Sequence, residues 1–345
     1  MAILERFIAK TENVVSVPEA SAIAGLTFRG FRGPEDYPAM LAVLHGSKQV
    51  DGIERIDTVE DIALNYSSLT NSDPFQDMLF AEIRGQVIGY SRVWWWKNLE
   101  DTRLYQHFAF LLPQWRETGI RRAMLRYNER RLREIAAGHP LDGPRFFEVW
   151  ASEGETDWSS LLEREGYQPF RYGFSMVRPN LENIPDCPLP EGIEIRPVPP
   201  ESYRAVWEAA REAFRDEWGY FEDEWGDAQF ESFCKSRWFQ PHLWQVAWDG
   251  DQVAGMVLNF ILDDENVEYK RLRGYTETIC VRRPYRKQGV AKALIARSFH
   301  LLREQGMTEA SLSVDAENPS GALQLYQSMG FAVNRREAVY RKPLD

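Results

Sequence analysis

Three short patterns occur twice in this chain, in the same order and separated by roughly 165 residues. Arg29, closing Leu-Thr-Phe-Arg, returns as Arg196, closing Ile-Glu-Ile-Arg. Arg116-Glu-Thr-Gly119 returns as Arg286-Lys-Gln-Gly289. Glu165-Gly166-Tyr167 returns as Met329-Gly330-Phe331. An ordered repeat on this scale in a 345-residue chain says that one unit is built twice. Between the copies, residues 178–192 carry four prolines and little periodicity, which marks a linker. The expected domains are therefore 1–180 and 190–345.

Each half predicts the same run of elements. In the second, a strand over 193–198 precedes helices over 201–214 and 227–239. A hairpin follows, with strands 243–248 and 253–262 around Asp249-Gly250-Asp251. A long strand over 272–281 leads through a glycine turn into a helix over 290–304. Strand 309–314, helix 319–329 and strand 332–341 complete it. The first half reads as a strand over 26–31, helices to residue 69, a hairpin around Arg84-Gly85-Gln86 and a strand over 103–111. Helix 120–136, strand 145–150, helix 157–165 and a strand to residue 177 follow. The predicted class is α/β in the broad sense: a mixed, largely antiparallel sheet flanked by helices, in two tandem domains.

Composition removes several function classes. No run of about 20 apolar residues occurs, which excludes a helical membrane span. The first residues show no basic region followed by an apolar stretch, which argues against export. Three widely spaced cysteines form neither a disulfide framework nor a zinc pattern, and the expected setting is the cytoplasm. A net charge of -11 disfavours nucleic acid as a partner. The basic run from Arg121 to Arg133 is interrupted by Glu129 and reads as a solvated helix face. The five histidines are scattered, so no metal site is expected.

The chemistry concentrates in residues 286–291, Arg-Lys-Gln-Gly-Val-Ala. A strand breaking through glycine into a helix aims several backbone N–H groups at one spot, on the positive end of the helix dipole. That spot suits a phosphate or pyrophosphate, and an arginine adds two-pronged donors. Neither a P-loop nor a Gly-x-Gly-x-x-Gly pattern is present. A second signal is Asn318-Pro-Ser-Gly-Ala-Leu-Gln-Leu-Tyr326-Gln-Ser-Met-Gly330-Phe331. Asn318 suits an N-cap, Pro319 a first helical position, and Gly330 a left-handed C-terminal cap with Phe331 packing back.

Arg-x-x-Gly-x-Ala after a strand, then Asn-Pro…Leu-Tyr…Gly-Phe about 30 residues on, resembles the GCN5-related N-acetyltransferase (GNAT) superfamily. The tandem layout and the segment Phe214-Arg-Asp-Glu-Trp-Gly219 are similar to its mycothiol synthase group. The resemblance implies acetyl-CoA as co-substrate, with no metal. It implies that the amides of Lys287, Gln288, Gly289, Val290 and Ala291, with the Arg286 side chain, hold the coenzyme pyrophosphate. The strand edge at Ile279, Cys280 and Val281 would pair with the pantetheine arm, and Asn318 would contact that arm or an ordered water. Tyr326 would protonate the departing thiolate. The implied partner is a small-molecule amine, bound by a monomer or homodimer.

Other roles stay open at the level of sequence. Glu277 is the candidate general base, or else a surface carboxylate on an alternating strand. Cys280 reads as a core thiol, with a covalent acyl-cysteine route as the alternative. Glu217, Trp218 and Tyr220 lie in the segment that resembles the family's acceptor-binding region, or else belong to the core. A coenzyme-binding sensor, and an acyltransferase with another donor or a hydroxyl acceptor, are the rival functions. The first copy departs from the pattern. Arg121 stands where the family has Gly or Ala, Leu162 falls at the Tyr326 position and Gly154 at that of Asn318. That half is expected to be catalytically silent, with weak coenzyme binding left open.

Overall fold

A computed structural model describes residues 13–344. The opening residues read above for a leader lie outside that range. The chain forms two compact units. One runs to Phe170 and takes in Ala338 onward; the other spans Arg171 to Glu337.

In the first unit, strands β1 (Leu26–Arg29), β2 (Met78–Ile83), β3 (Gln86–Lys97) and β4 (Arg103–Leu111) follow one another antiparallel. Strand β5 (Arg145–Ser152) then joins β4 in parallel. The Ile120–Ala137 helix buries Ile120, Met124 and Leu132 against this sheet, while its arginines point outward to acidic partners. Arg121 is the exception and is buried.

The second unit repeats the plan. Part of strand β6 (Gln168–Arg178) belongs to it, followed by β7 (Ile193–Ile195), β8 (Gln245–Asp249), β9 (Gln252–Ile261), β10 (Arg273–Val281) and β11 (Glu309–Asp315). Strands β7 to β10 pair antiparallel, β10 and β11 parallel. The predicted mixed, largely antiparallel architecture is present in both units. Outside it, a short helix, Asp263–Tyr269, fills the connection before β10, which the sequence reading left without an element.

The last strand of each half is exchanged. Residues 173–178 of β6 lie antiparallel to β11 inside the second unit. The end of strand β12 (Ala332–Pro343) belongs to the first unit, where the Leu344 amide donates to the Arg145 carbonyl at 3.1 Å.

One irregularity shapes the second unit. Pairing of β9 with β10 is regular to Glu277, then slips by one residue before Cys280. Thr278 there adopts a left-handed φ of 50°, unusual for a branched side chain. The parallel pairing of β10 with β11 extends only from Arg273 to Tyr275. Past that point the two strands part. In the first unit, β3 and β4 pair without interruption from Gly89 to Lys97, so β4 has no such bulge.

Candidate active site

The strand–turn–helix segment has the form read from sequence. A single turn at Arg283–Tyr285 leads through Lys287 (φ 62°) and Gly289 (φ 89°) into the helix at Val290. A Cβ on Gly289 would meet nothing within 4 Å, so glycine is required there by backbone conformation and not by crowding. The first intrahelical bond is from the Ala293 amide to the Gly289 carbonyl, at 3.1 Å. The amides of Val290, Ala291 and Lys292 therefore have no acceptor within the helix, as in any first helical turn. Lys287 and Lys292 stand beside them on the wall of a cleft of about 750 Å³.

That cleft runs from the turn past Ile279, Cys280 and Val281 of β10 to Asn318 and Tyr326. A smaller chamber of about 110 Å³ continues from it into the gap between β10 and β11. Glu217, Ile279, Asn318 and Tyr326 line both spaces, and Glu277 lines the chamber. Residues distant in sequence, at 217, 277, 318 and 326, are thus brought to one place.

The electrostatics of the chamber are uneven. Glu277 is held in low-dielectric surroundings, and burial pushes its carboxyl up to about 7, against a smaller opposing effect of hydrogen bonding from Ser313. Burial also raises Glu217, with the Asn318 hydrogen bond and the Arg286 charge working the other way. The Tyr326 phenol is raised by burial first and then by the negative charges of Glu217 and Glu277. It therefore stays protonated at neutral pH and has a proton to give. The Cys280 thiol is buried and pushed up in the same way, which keeps it from the nucleophilic thiolate form.

Arg286 sits at the mouth, but its donors go to protein. Nε donates to the Val281 carbonyl at 2.9 Å, Nη2 to the Ala213 carbonyl at 3.1 Å, and Nη1 pairs with Asp216 at 2.7 Å. Gln288 likewise turns away, donating to the Pro284 carbonyl at 2.9 Å.

The Tyr326 helix, Ala322–Ser328, starts later than predicted. Gly321 (φ 79°) precedes it, and Asn318 is not its N-cap. Asn318 Oδ1 instead accepts from the Ser320 amide at 2.9 Å, closing a local turn of the kind that competes with helix initiation. The other end is as expected. Gly330 (φ 88°) donates to the Gln327 carbonyl and the Phe331 amide to the Tyr326 carbonyl, at 3.0 and 3.1 Å. This is a Schellman cap, with the Phe331 and Tyr326 rings 6.2 Å apart.

Of the acceptor-segment residues, Glu217 alone lines the two spaces. The Trp218 ring lies under Arg171, 4.8 Å from its guanidinium carbon, and Arg171 is locked on Asp315 by two 2.7 Å hydrogen bonds. The Tyr220 hydroxyl donates to Glu222 at 2.8 Å. Asp216 and Arg171 were not singled out from sequence, although Asp216 lies inside the quoted Phe214–Gly219 segment. Among the described residues no cluster of His, Cys, Asp and Glu suits a metal ion, and no helix is long and apolar enough to cross a membrane.

The acetyltransferase (GNAT) family model matches residues 207–331, which contain Glu217, Glu277, Arg286, Gly289, Asn318 and Tyr326. That span matches the GNAT family, and the chain as a whole is similar to GNAT proteins. A mycothiol acetyltransferase of Geodermatophilus obscurus is 25% identical over 90% of this chain and 95% of its own length. A GCN5-related N-acetyltransferase of Sphaerobacter thermophilus superposes with a TM-score of 0.68 at 26% identity, covering 94% of this chain and 97% of that one. A tandem GNAT protein from the clavulanic acid biosynthesis pathway superposes at 0.65 with 13% identity, covering 93% and 99%, and speaks to the fold alone. The two copies in this chain are in unequal condition. The Schellman caps put Leu162 and Tyr326 at the same helical position, since the Tyr167 amide donates to the Leu162 carbonyl as Phe331 does to Tyr326. The first copy therefore has an aliphatic side chain where the second has a phenol.

Proposed function

We propose that the second copy is an acetyl-CoA-dependent N-acetyltransferase that acetylates a primary amine of a small molecule by direct attack in a ternary complex. The observation that carries this reading is the chamber pairing Glu277, raised to about 7, with a protonated Tyr326. A group that takes a proton and a group that gives one share a space at the inner end of a cleft whose outer end is a helix N-terminus.

The residues present fit the coenzyme. The open space at Gly289 and the acceptor-free amides of Val290, Ala291 and Lys292 suit its phosphates, with Lys287 and Lys292 adding charge. Asp216, Val281 and Ala213 hold Arg286 as a brace for this turn. Where β10 parts from β11, its edge at Ile279, Cys280 and Val281 lines the cleft and would meet an amide-bearing arm, with the Val281 carbonyl already accepting from Arg286 Nε and Asn318 lining the same cleft. When bound, the coenzyme supplies a thioester as acyl donor.

Glu277 removes a proton from the incoming ammonium, directly or through water, so that the amine nitrogen is free to form the new C–N bond. Tyr326 delivers its hydroxyl proton to the sulfur as the C–S bond breaks, and the second proton shed by the nitrogen as it becomes an amide restores the phenol. Glu217 supplies negative charge for the amine cation, while Trp218 and Tyr220, anchored by Arg171 and Glu222, fix the segment that carries it. Holding both reactants together contributes up to ~7–11 kcal/mol, and each positioned acid or base typically ~10²–10⁴-fold. The first copy, residues 1–180, is a degenerate repeat, and 190–345 the working one. The reading keeps the cytoplasmic setting and the monomer-or-homodimer state expected from sequence.

The test is thiol release from acetyl-CoA against a panel of amines, with the acceptor of the mycothiol acetyltransferases included. Turnover that is lost in Gly289→Trp supports the reading. Tight coenzyme binding with no turnover on any acceptor would instead identify a sensor.

A further inference from the structure

We propose that Arg121 is a built-in plug that closes the first unit's copy of the coenzyme cleft, so that each chain holds a single acyl-CoA. The proposal rests on the acyl-CoA reading of the second unit. It concerns the other half of the chain, where sequence left coenzyme binding open.

The two units share the outer frame of the cleft. In the first, Gly119 (φ 86°) opens the Ile120–Ala137 helix as Gly289 opens its counterpart. Arg116 Nε donates to the Leu111 carbonyl at 3.1 Å, five residues back, as Arg286 does to Val281. Its guanidinium clasps Asp51 at 2.6 and 2.7 Å, as Arg286 pairs with Asp216. By frame alone, this unit would be read as a second coenzyme site.

The interior differs. Where the second unit has Ala291, the first has Arg121, and its side chain turns inward until only 3% of it is exposed. Nε donates to the Ala109 carbonyl at 2.8 Å. Ala109 stands to Arg116 as Ile279 stands to Arg286, so this carbonyl lies on the stretch of strand that in the second unit faces the cleft. Nη1 and Nη2 reach Asp157 and Glu155, each at 3.0 Å. The Trp158 ring closes the stack, 4.2 Å from the guanidinium carbon. Strand, following loop and helix are thereby stitched together across the space where, in the second unit, β10 and β11 part.

The shape of the remaining space agrees. A surface cleft of about 680 Å³ survives beside Gly119, yet none of the residues lining it belongs to β4. In the second unit the matching cleft reaches three residues of β10 and continues to Tyr326. β4 carries no bulge, but its parallel pairing with β5 also ends early, at Gln106 with Glu148, so it is the Arg121 side chain that makes the difference at the inner end. A thioester arm entering the first unit would have to displace a buried cation from two carboxylates, a carbonyl and an aromatic face.

Calorimetric titration of the full chain with coenzyme A decides this. We expect one equivalent per wild-type chain, none for Gly289→Trp, and binding regained at the first unit in Gly289→Trp/Arg121→Ala. Two equivalents for the wild type, or persistent binding by Gly289→Trp, would overturn the plug. A folded double variant that binds nothing would remove Arg121 from that role. No binding by the wild type would sink both this proposal and the acyl-CoA reading of the second unit.

Discussion

Arg286 and Asp216 form an ion pair, Nη1 to Oδ2 at 2.7 Å, so the arginine that opens the Arg-x-x-Gly turn is committed to protein. Arg283 shares the same carboxylate, and the two guanidiniums, Arg283 foremost, hold Asp216 well below the usual carboxylate range. The pairing recurs in the first unit between Arg116 and Asp51. A contact kept in both copies, one of them lacking the acid position, is explained by support of the turn. It needs no ligand.

That relationship separates two roles for Arg286. If it braces the turn, Asp216→Ala loosens the amides and raises KM for acetyl-CoA about fivefold, in line with ~1 kcal/mol for a partly exposed ion pair. If it is a phosphate ligand restrained by Asp216, the same substitution frees it and tightens coenzyme binding. Steady-state kinetics at low salt distinguish the signs.

Tyr326→Phe removes the proton donor and leaves the ring in its buried seat. We expect kcat to fall about 10²-fold with coenzyme affinity unchanged. A kcat equal to that of the wild type would end the acid assignment.

The raised Glu277 sets the pH behaviour. Its base form is populated only above about 7, so kcat/KM climbs through that pH and levels off, and Glu277→Gln abolishes the limb. Stability moves the other way. Between the ordinary carboxyl pKa of about 4.3 and about 7, the folded chain holds this proton while the unfolded chain releases it. The contribution of Glu277 to stability is therefore full below that window and declines as pH rises through it. Thermal melts should show Glu277→Gln gaining on the wild type from pH 5 to pH 8. A constant difference would contradict the burial assigned to this carboxyl.

Gly330→Ala tests how the Tyr326 helix is held. The left-handed φ of 88° costs a side chain about 1–2 kcal/mol, and an added Cβ would lie 2.5 Å from Arg178 Nη1. Arg178 is buried, and its donors include the pair reaching the Asn180 and Glu182 carbonyls at 2.9 and 2.7 Å. We expect a lower Tm and a reduced kcat with KM for acetyl-CoA preserved, read from melts and initial rates. A loss of coenzyme affinity instead would show that the helix also shapes the cleft.

Much of this was legible in the chain itself because it is local. Glycine followed by helical periodicity fixed the start at Val290, and β4 and the Val290–Glu304 helix have the limits that periodicity predicts. Gly330 and Phe331 announced their cap, since a Schellman motif is written in adjacent residues. Asn318 misled for a related reason: its side chain serves a helix start or a turn equally well, and neighbouring Ser320 decided for the turn.

The sequence alone therefore determined the duplication, the order of elements and the helix N-terminus at Gly289, all of which depend on residues near one another. Only the tertiary structure decided that Arg286 pairs with Asp216 at the mouth of its cleft while Arg121 is buried inside its own unit. Both are arginines beside a glycine, and only the distant partners Asp216, Ala109, Glu155 and Asp157 distinguish them. It also decided that Glu277 is a raised carboxyl in a chamber, and that the last strands change places. Burial and long-range pairing are properties of the folded chain, and no stretch of sequence carries them by itself.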